Sequence, residues 1–365
     1  MRRLTPEDDV RNIFRKFAAP RLPMALRSIE LLPLLPLLPL LRPLRPLSLV
    51  PLLPLVLFGA TAAGAADPYP SQPIKLVVPY VAGGPTDVYA RGLGKNLAEA
   101  LATPVIVENK GGAATMIGAE AVARAPNDGY TLLFSVLTTF SSNPFLYKKM
   151  AYKIEDFAPI SVVATGTFVI AVGPSIAAKN VGEFVAYSKA NPGKVAMGSL
   201  GIGTGPDIVG KTFARLAGID LIDVPYKGSA AALNDLLGGS IAVYFDGLAS
   251  ALAQHKAGKL RILAVAGNKR SPVVPDVPTF AELGYPDLAV PVYWALFAPA
   301  GTPKDVVARL NAATIKAANE DTFKSRLLAD GVTVETTTPE GLAEVIRNDS
   351  ESWKKLITPL NIPAQ

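Results

Sequence analysis

From residue 74 to residue 298, short apolar runs alternate with segments whose apolar residues recur at helical spacing. Helical segments such as Asp87–Leu101 and Asp207–Ala217 separate the runs, which predicts parallel sheets with right-handed crossovers. The stretch from Pro303 to Leu356 is almost wholly helical in pattern. The predicted strands are Ile74–Pro79, Val105–Glu108, Thr131–Ser135, Ile160–Val172, Val195–Ser199, Ile222–Val224, Ile241–Phe245, Arg261–Ala266 and Val292–Ala298.

Two of these runs are unusual in length and position. Ile160–Val172 is a long β-type run with a Thr-Gly-Thr break in its middle, and Val292–Ala298 lies far downstream. This pattern is typical of two strands that cross between two lobes, and it makes the first lobe discontinuous in sequence. We therefore predict an α/β chain of two lobes, each a mainly parallel sheet flanked by helices, with the two strands as hinge. The predicted boundaries are 70–168 plus 292–365 for lobe 1 and 169–291 for lobe 2.

The first 66 residues have a composition of their own, dominated by leucine and proline. Prolines and two arginines interrupt the apolar run, so that its last uninterrupted part is Pro46–Phe58. A basic region, a short apolar region and small residues form the layout of a secretory signal. We predict a leader over 1–65 with cleavage after Ala63-Gly64-Ala65 or, second, Ala60-Thr61-Ala62. The alternative is an uncleaved membrane anchor.

Charge and cysteine content further narrow the class of protein to which the chain can belong. Of the 36 basic and 30 acidic residues, nine and four lie in residues 1–66, which leaves 27 and 26 in the remainder. This nearly neutral remainder gives no electrostatic case for nucleic acid. The chain has no cysteine, which excludes a lipoprotein anchor, disulfides and thiolate metal sites. An exported chain without disulfides fits a bacterial periplasm.

Motifs for catalysis or cofactor binding are missing from the sequence. His255 is the single histidine, so a zinc site is not expected, and its place near a predicted helix end favours an exposed terminal residue. There is no Walker A pattern and no Gly-x-Ser-x-Gly elbow. The glycines of Gly201–Gly205 have the wrong spacing for a dinucleotide loop. We expect no cofactor and no metal.

Four loops of one chemical type follow predicted strands and precede predicted helices. All are rich in small residues, which let a backbone approach a ligand closely. The first-turn amides of a helix are unpaired and carry partial positive charge, so an anion fits there without Arg or Lys. In an open α/β sheet such loops lie where ligands bind. Together they predict an anion cleft. They read VAGGPTD, NKGGAATMIG, SLGIGTGPD and YKGSAA, starting at Val81, Asn109, Ser199 and Tyr226.

Beyond these loops, the chain resembles a known family from about Tyr69 to its C-terminus. The stretches YPSQPIKLVVPYVAGGPTDVYARGLGKNLAEAL, PVIVENKGGAATMIGAEAVARAPNDGYTLLF and VPYKGSAAALNDLLGGSIAVYFD are similar to the Bug-type (TctC-like) periplasmic solute receptors of tripartite tricarboxylate transporters. The resemblance implies a type II-like periplasmic-binding-protein fold that closes over a small carboxylate. It also implies a monomer that presents this ligand to a membrane permease of two subunits.

The resemblance also implies a set of site residues. The first carboxylate is expected on the loop after the first strand, and the loop after the third strand is expected over the ligand. In the second lobe a Gly-rich loop completes the site, together with residues near two further strand ends. For Tyr226 and its neighbour Lys227, the alternative is that they only shape a turn. The implied ligand-binding residues are Gly83, Gly84, Thr86, Asp87, Thr139, Asn143, Gly203, Thr204, Gly205, Tyr226 and Asp246.

At several positions the chain departs from the family pattern. Phe140 stands where many members carry histidine, which favours a ligand with an apolar or aromatic body. Pro206-Asp207 replaces a Ser-His pair, and an inward Asp207 would disfavour a second carboxylate; its alternative role is a helix cap. Gly247 follows Asp246 where asparagine is common. Trp294 and its neighbour Tyr293 are expected in the hinge core.

Three hypotheses of function follow. The first is an exported receptor, without catalysis, for an organic acid, an aromatic acid or an acidic amino acid. The second is an exported enzyme that uses Asp87, Asp207 or Asp246 as general base. The third is a receptor that serves a membrane signalling protein instead of a permease.

Overall fold

The computed structural model describes residues 69–267 and 269–362; the predicted leader and its cleavage sites lie outside the described residues. The strands are β1 Ile74–Val78, β2 Val105–Asn109, β3 Thr131–Val136, β4 Phe157–Val172, β5 Ala196–Ser199, β6 Ile222–Pro225, β7 Val243–Gly247, β8 Arg261–Val265, β9 Pro291–Pro299 and β10 Thr333–Val334. The helices are α1 Pro85–Leu101, α2 Met116–Ala123, α3 Thr138–Ser141, α4 Val181–Ala190, α5 Gly205–Ala217, α6 Ser229–Gly238, α7 Leu248–Lys256, α8 Lys304–Ala318, α9 Asp321–Ala329 and α10 Pro339–Ile357.

These strands form two sheets of similar plan. In the first, β2, β1 and β3 are parallel, β9 runs antiparallel beside β3, and β4 pairs with β9 and β10. In the second, β6, β5 and β7 are parallel, and β4 lies antiparallel between β7 and β8. Helices connect the parallel strands, as the alternating pattern predicts.

Strand β4 belongs to both sheets. Its first part pairs with β9 as far as Thr167, which faces Pro291, and its part from Phe168 onward pairs with β7. The chain therefore has one lobe for each sheet, joined through β4, and the predicted two-lobed α/β fold is confirmed. The residue boundaries given above for the lobes stay predictions.

The nine predicted strands are all present, with ends displaced by at most a few residues. The two-residue strand β10 was not predicted, because a pair this short has no periodicity to detect. Asn180 caps α4, where its side-chain oxygen accepts the Glu183 N–H at 2.8 Å. Thr338 likewise accepts from Gly341 N–H at 3.1 Å at the start of α10. Pro303, expected inside α8, is instead the residue before it.

The last helix ties the lobes together. The buried face of α10 packs on β4 and α3 of the first lobe and on α5 of the second. Its Trp353 is fully buried and lies edge-on to Phe168 of β4, with ring centroids 6.0 Å apart. None of the described helices is long and apolar enough to cross a membrane.

Candidate functional site

A cavity of about 360 Å³ lies where the ends of the two parallel strand sets approach each other. Its walls are loops that follow β1, β3, β5, β6 and β7, and its floor is formed by residues of the shared strand β4 and of β9. The lining residues are Tyr80, Val81, Ala82, Gly83, Gly84, Pro85, Thr86, Val136, Thr138, Phe168, Leu200, Thr204, Gly205, Pro206, Lys227, Gly228, Ser229, Ala230, Ala231, Asp246, Gly247, Ala249, Val292 and Trp294.

Four helices begin at this cavity: α1 from the first lobe, and α5, α6 and α7 from the second. The residues before them are Gly84, Thr204, Gly228 and Gly247, and none caps its helix through a side chain. Uncapped starts occur elsewhere, at α2, α8 and α9. The distinguishing feature is that four of them share one cavity, which gathers unpaired amides and the positive ends of four helix dipoles.

The start of α1 is held by a carboxylate of its own first turn. Asp87 accepts the N–H of Gly83 at 2.9 Å, and Arg91 forms an ion pair with Asp87 at 2.9 Å. The helical bonds begin with Val88 N–H donating to Gly84 O at 3.0 Å, so the amides of Thr86 and Asp87 have no intrahelical acceptor. Although burial works against it, Arg91 and the Gly83 amide hold the pKa of Asp87 below its usual value.

Helix α5 starts with the same arrangement. Asp207 accepts the N–H of Gly203 at 2.9 Å, and Lys211 pairs with Asp207 at 2.6 Å. Lys211 also pairs with Asp223 of β6 at 3.1 Å. Burial raises the pKa of Asp207 to about 6, although Lys211 and the Gly203 amide oppose the shift. Asp207 is therefore a cap of its own loop and does not line the cavity, which is the helix-cap alternative given above.

Residue for residue, the two starts are equivalent. Gly83 and Gly203 both have positive φ, +89° and +82°, which favours glycine. In each case the aspartate is the third helical residue, and the cation follows it by four positions. The pattern is Gly-x-x-x-Asp-x-x-x-Arg/Lys after a strand. Sequence reasoning missed it because only these few positions are shared.

The floor of the cavity is aromatic and fixed to the walls. Trp294 of β9 is 4% exposed and donates its Nε1–H to Thr86 Oγ1 at 3.1 Å. Phe168 lies against Gly205, where an added Cβ would stand 2.5 Å from the Phe168 ring. The prediction that Trp294 lies in the hinge core was incomplete, because Trp294 also forms part of the cavity floor. Tyr293 packs against a separate buried cluster and does not line the cavity.

Two charged side chains reach the wall, and they differ in burial. Asp246 at the end of β7 is 6% exposed, and Tyr244 donates its hydroxyl hydrogen to it. Burial raises the pKa of Asp246, while the nearby Ser229 hydroxyl and Gly247 amide act in the opposite direction. Lys227 is exposed, and among the described residues no carboxylate lies within ion-pair distance of it.

Six of the eleven predicted site residues line the cavity: Gly83, Gly84, Thr86, Thr204, Gly205 and Asp246. The other five do not. Asp87 and Gly203 hold the two loops as described. Tyr226, in the segment that leads into α6, donates to Asp235 of that helix at 2.6 Å, so its turn-shaping alternative fits the contacts.

Thr139 and Asn143 form a buried polar network beside the cavity. Thr139 shares hydrogen bonds with Thr115 and Ser135, at 2.9 and 2.8 Å. Asn143 donates to the carbonyl oxygen of Ala114 at 2.9 Å. The network joins the loops that follow β2 and β3, so both residues support the wall without lining the cavity.

The prediction for Phe140 fails on geometry. Its ring is 3% exposed and packs among Phe157, Phe297 and Tyr152, with the Phe297 centroid 4.5 Å away. The side chain points from the short helix α3 into this cluster because α3 is buried on that face. Phe140 does not line the cavity and therefore says nothing about the ligand's body.

Several lining residues were not among the predicted site residues. Lys227 and Ser229 lie in the predicted YKGSAA loop and Thr138 lies just after β3, so their position beyond a predicted strand was the available signal. Among the described residues no three His, Cys, Asp or Glu side chains gather as a metal site. His255 is half-buried, and its Nδ1 accepts the N–H of Ile262 at 3.2 Å, which gives it a structural role at the end of α7.

Residues 89–362 match the model of the tripartite tricarboxylate transporter family receptor, TctC. The chain belongs to this family. Among curated relatives, Protein BugT of Bordetella pertussis is 34% identical over 305 residues, which cover 82% of this chain and 92% of that protein. The resemblance found in the sequence is thereby confirmed.

Solved structures agree with this assignment to the TctC receptor family. The periplasmic binding protein BugD is 35% identical with a TM-score of 0.77, covering 81% of this chain and 100% of that one. MatC from Rhodopseudomonas palustris with bound malate is 31% identical with a TM-score of 0.74, covering 79% and 99%. Rpa4515 of R. palustris with adipate is 29% identical with a TM-score of 0.77, covering 80% and 98%. These neighbours confirm the periplasmic-binding-protein fold.

Proposed function

We propose that this TctC-family chain is an extracytoplasmic receptor that binds a small carboxylate between its lobes and delivers it to a membrane permease. The observation that carries the proposal is the convergence of four uncapped helix starts on one cavity. Amides of a first helical turn bind an anion through hydrogen bonds and the helix dipole, without a charged side chain.

The ligand class follows from the chemistry of the walls. One first-lobe helix start and three second-lobe starts supply donors, and Phe168 with Trp294 supplies an apolar floor. A small organic acid, an aromatic acid or an acidic amino acid has the required anionic group and a body to lie on the floor. That relatives of this fold hold malate and adipate supports the choice of carboxylates as first probes.

The remaining parts of the proposal concern location and partners. The leader over 1–65 is proposed to export the chain to the periplasm, where it works as a monomer on behalf of a permease of two subunits. The lobes are proposed to comprise 70–168 plus 292–365, and 169–291. Of the predicted ligand-binding residues, we retain Gly84, Thr86 and Asp246 with the other lining positions, and assign no catalytic role to any.

Thermal unfolding with and without candidate ligands tests the proposal. Ligand at 100 times its dissociation constant should stabilise the purified chain without its leader by about 2.7 kcal/mol. Gly84→Val should weaken that stabilisation, because a β-branched side chain would stand between the α1 amides and the anion. Its Cβ would meet no protein atom within 4 Å, so folding should be preserved.

A matched control is Gly218→Ala, at the far end of α5, which removes a glycine away from the cavity. It should lower unfolding temperature through its φ of +62° but leave the ligand-induced shift intact. Failure of malate, adipate, aromatic acids and acidic amino acids to stabilise the wild-type chain would refute the proposed function.

A further inference from the structure

At each of the two equivalent helix starts, a carboxylate lies in the first turn where the ligand's anion would bind, and a cation four residues on pairs with that carboxylate. The first turns of α1 and α5 line the cavity with Thr86 and Gly205, yet each also contains a carboxylate, Asp87 or Asp207. A negative charge at this end of a helix interacts favourably with the dipole and so competes with any other anion there. An uncompensated aspartate would weaken the site that its loop builds.

The aspartates cannot simply be absent, because they hold the loops. Asp87 and Asp207 each accept the amide of a glycine with positive φ, Gly83 or Gly203, at 2.9 Å. That bond fixes the loop whose following residues line the cavity. The cation four residues on lies within ion-pair distance of the same carboxylate in both lobes.

We propose that Arg91 and Lys211 are positioning residues for anion binding that act through Asp87 and Asp207. Neither cation lines the cavity. Each neutralises the carboxylate that its loop needs for shape, so that the helix start keeps a net attraction for the ligand's negative group. The inference rests on the proposed function and deepens it, because it assigns part of the affinity for the anionic ligand to residues outside the cavity wall.

The expected size of the effect follows from Coulomb's law. A unit charge left uncompensated about 7 Å from a bound carboxylate weakens binding about threefold to fiftyfold, for effective dielectric constants from about 80 to 20. Arg91 is half-exposed, with 53% of its side chain accessible, so we expect about tenfold for Arg91→Gln. Because Arg91 is on the surface side, this variant is the one expected to fold normally.

The test is a calorimetric titration of the chain without its leader, with malate and adipate as probes. Arg91→Gln should weaken binding about tenfold, and Arg91→Lys should restore most of it. The double variant Asp87→Asn, Arg91→Gln should bind within about threefold of wild type, since the asparagine oxygen still accepts the Gly83 amide while both charges are gone. Lys211→Gln with and without Asp207→Asn forms the equivalent series in the second lobe.

Two comparisons separate charge compensation from a loss of structure. Monomethyl adipate carries half the charge of adipate, so Arg91→Gln should weaken it less; a distorted loop would weaken both probes equally. Arg124→Gln removes the cation of the surface pair Glu120–Arg124, which has the same four-residue spacing away from the cavity, and should change nothing.

The outcomes are distinct. If wild type binds neither probe, the proposed function fails for these acids and this inference with it. If wild type binds but Arg91→Gln binds equally well, or the double variant is as weak as the single one, the inference alone is overturned.

Discussion

The first turns of α1 and α5 share a glycine–aspartate hydrogen bond and an aspartate–cation pair, but water reaches them to different degrees. In α1 the side chain of Arg91 is 53% exposed and that of Asp87 is 5% exposed. In α5 the corresponding values are 27% for Lys211 and 0% for Asp207. The second-lobe pair is further enclosed by Asp223, which shares the lysine.

This difference in burial reverses the sign of the pKa shift. In α1 the arginine and the Gly83 amide outweigh burial, so the pKa of Asp87 is lowered. In α5 burial outweighs the same two kinds of partner, so the pKa of Asp207 is raised to about 6. Burial is the largest cause in α5, and the neighbours differ as well: Asp223 raises the pKa of Asp207 further, whereas Asn109 helps to lower that of Asp87. A similar pair of bonds is therefore stabilising or costly according to how much water its charges retain.

The largest expected difference comes from removing the cations. Lys211→Met leaves Asp207 buried without its partner and should lower the free energy of unfolding by about 3 kcal/mol. Arg91→Met breaks a half-exposed pair and should cost less than about 1 kcal/mol. Urea unfolding of both variants measures the difference; equal costs would show that burial does not distinguish the two starts.

Replacing one glycine by alanine at each helix start should give the next largest difference in stability. Gly205→Ala places a Cβ 2.5 Å from the Phe168 ring and 3.3 Å from Trp353, two side chains that also pack on each other, and should destabilise the chain by about 2 kcal/mol. Gly84→Ala meets nothing within 4 Å and should cost about 0.5 kcal/mol. Thermal unfolding of the two variants checks this ordering, and similar melting temperatures would contradict it.

The pH dependence of stability should be opposite at the two starts. Because the folded-state pKa of Asp207 is raised, its contribution is fully present below about pH 4 and is lost as the pH rises through about 6. The contribution of Asp87, with a lowered pKa, is present above about pH 4 and is lost as the pH falls. Asp207→Asn should remove about 2 kcal/mol of the decline between pH 4 and 6.5.

Urea unfolding at several pH values, in wild type, Asp207→Asn and Asp87→Asn, measures these slopes. Asp246 and Asp349 also have raised pKa values through burial, to about 6 for Asp349. Both remain in all three chains, so their contribution cancels in the comparison. An unchanged slope in Asp207→Asn would contradict the raised pKa of Asp207.

Much of the fold was predictable because it is periodic in the sequence. Runs such as Ile160–Val172 are long enough for alternation and apolar content to identify a strand, and β4 begins only three residues earlier. Helix starts with Asn180 or Thr338 carry their cap in the local sequence. β10 was missed because two residues have no period.

The candidate site was predictable in part, for a related reason. The Gly-rich loops at Gly83 and Gly203 follow strands, and loops at the carboxyl ends of parallel strands lie together whatever their exact conformation. Which side chains of those loops face the cavity depends on packing between segments distant in sequence. The family resemblance placed Phe140 and Thr139 at the ligand, but they point into a ring cluster and a polar network that other strands complete.

The sequence by itself determined the order of strands and helices, the family, and the loops of small residues that leave helix amides uncapped, because these depend on neighbouring residues along the chain. Only the tertiary structure decided that Trp294 forms the floor, that Asp207 turns away from the cavity, and that Asp87 and Asp207 have opposite pKa shifts. Those properties depend on burial and on charges brought together from distant segments, which no local pattern encodes.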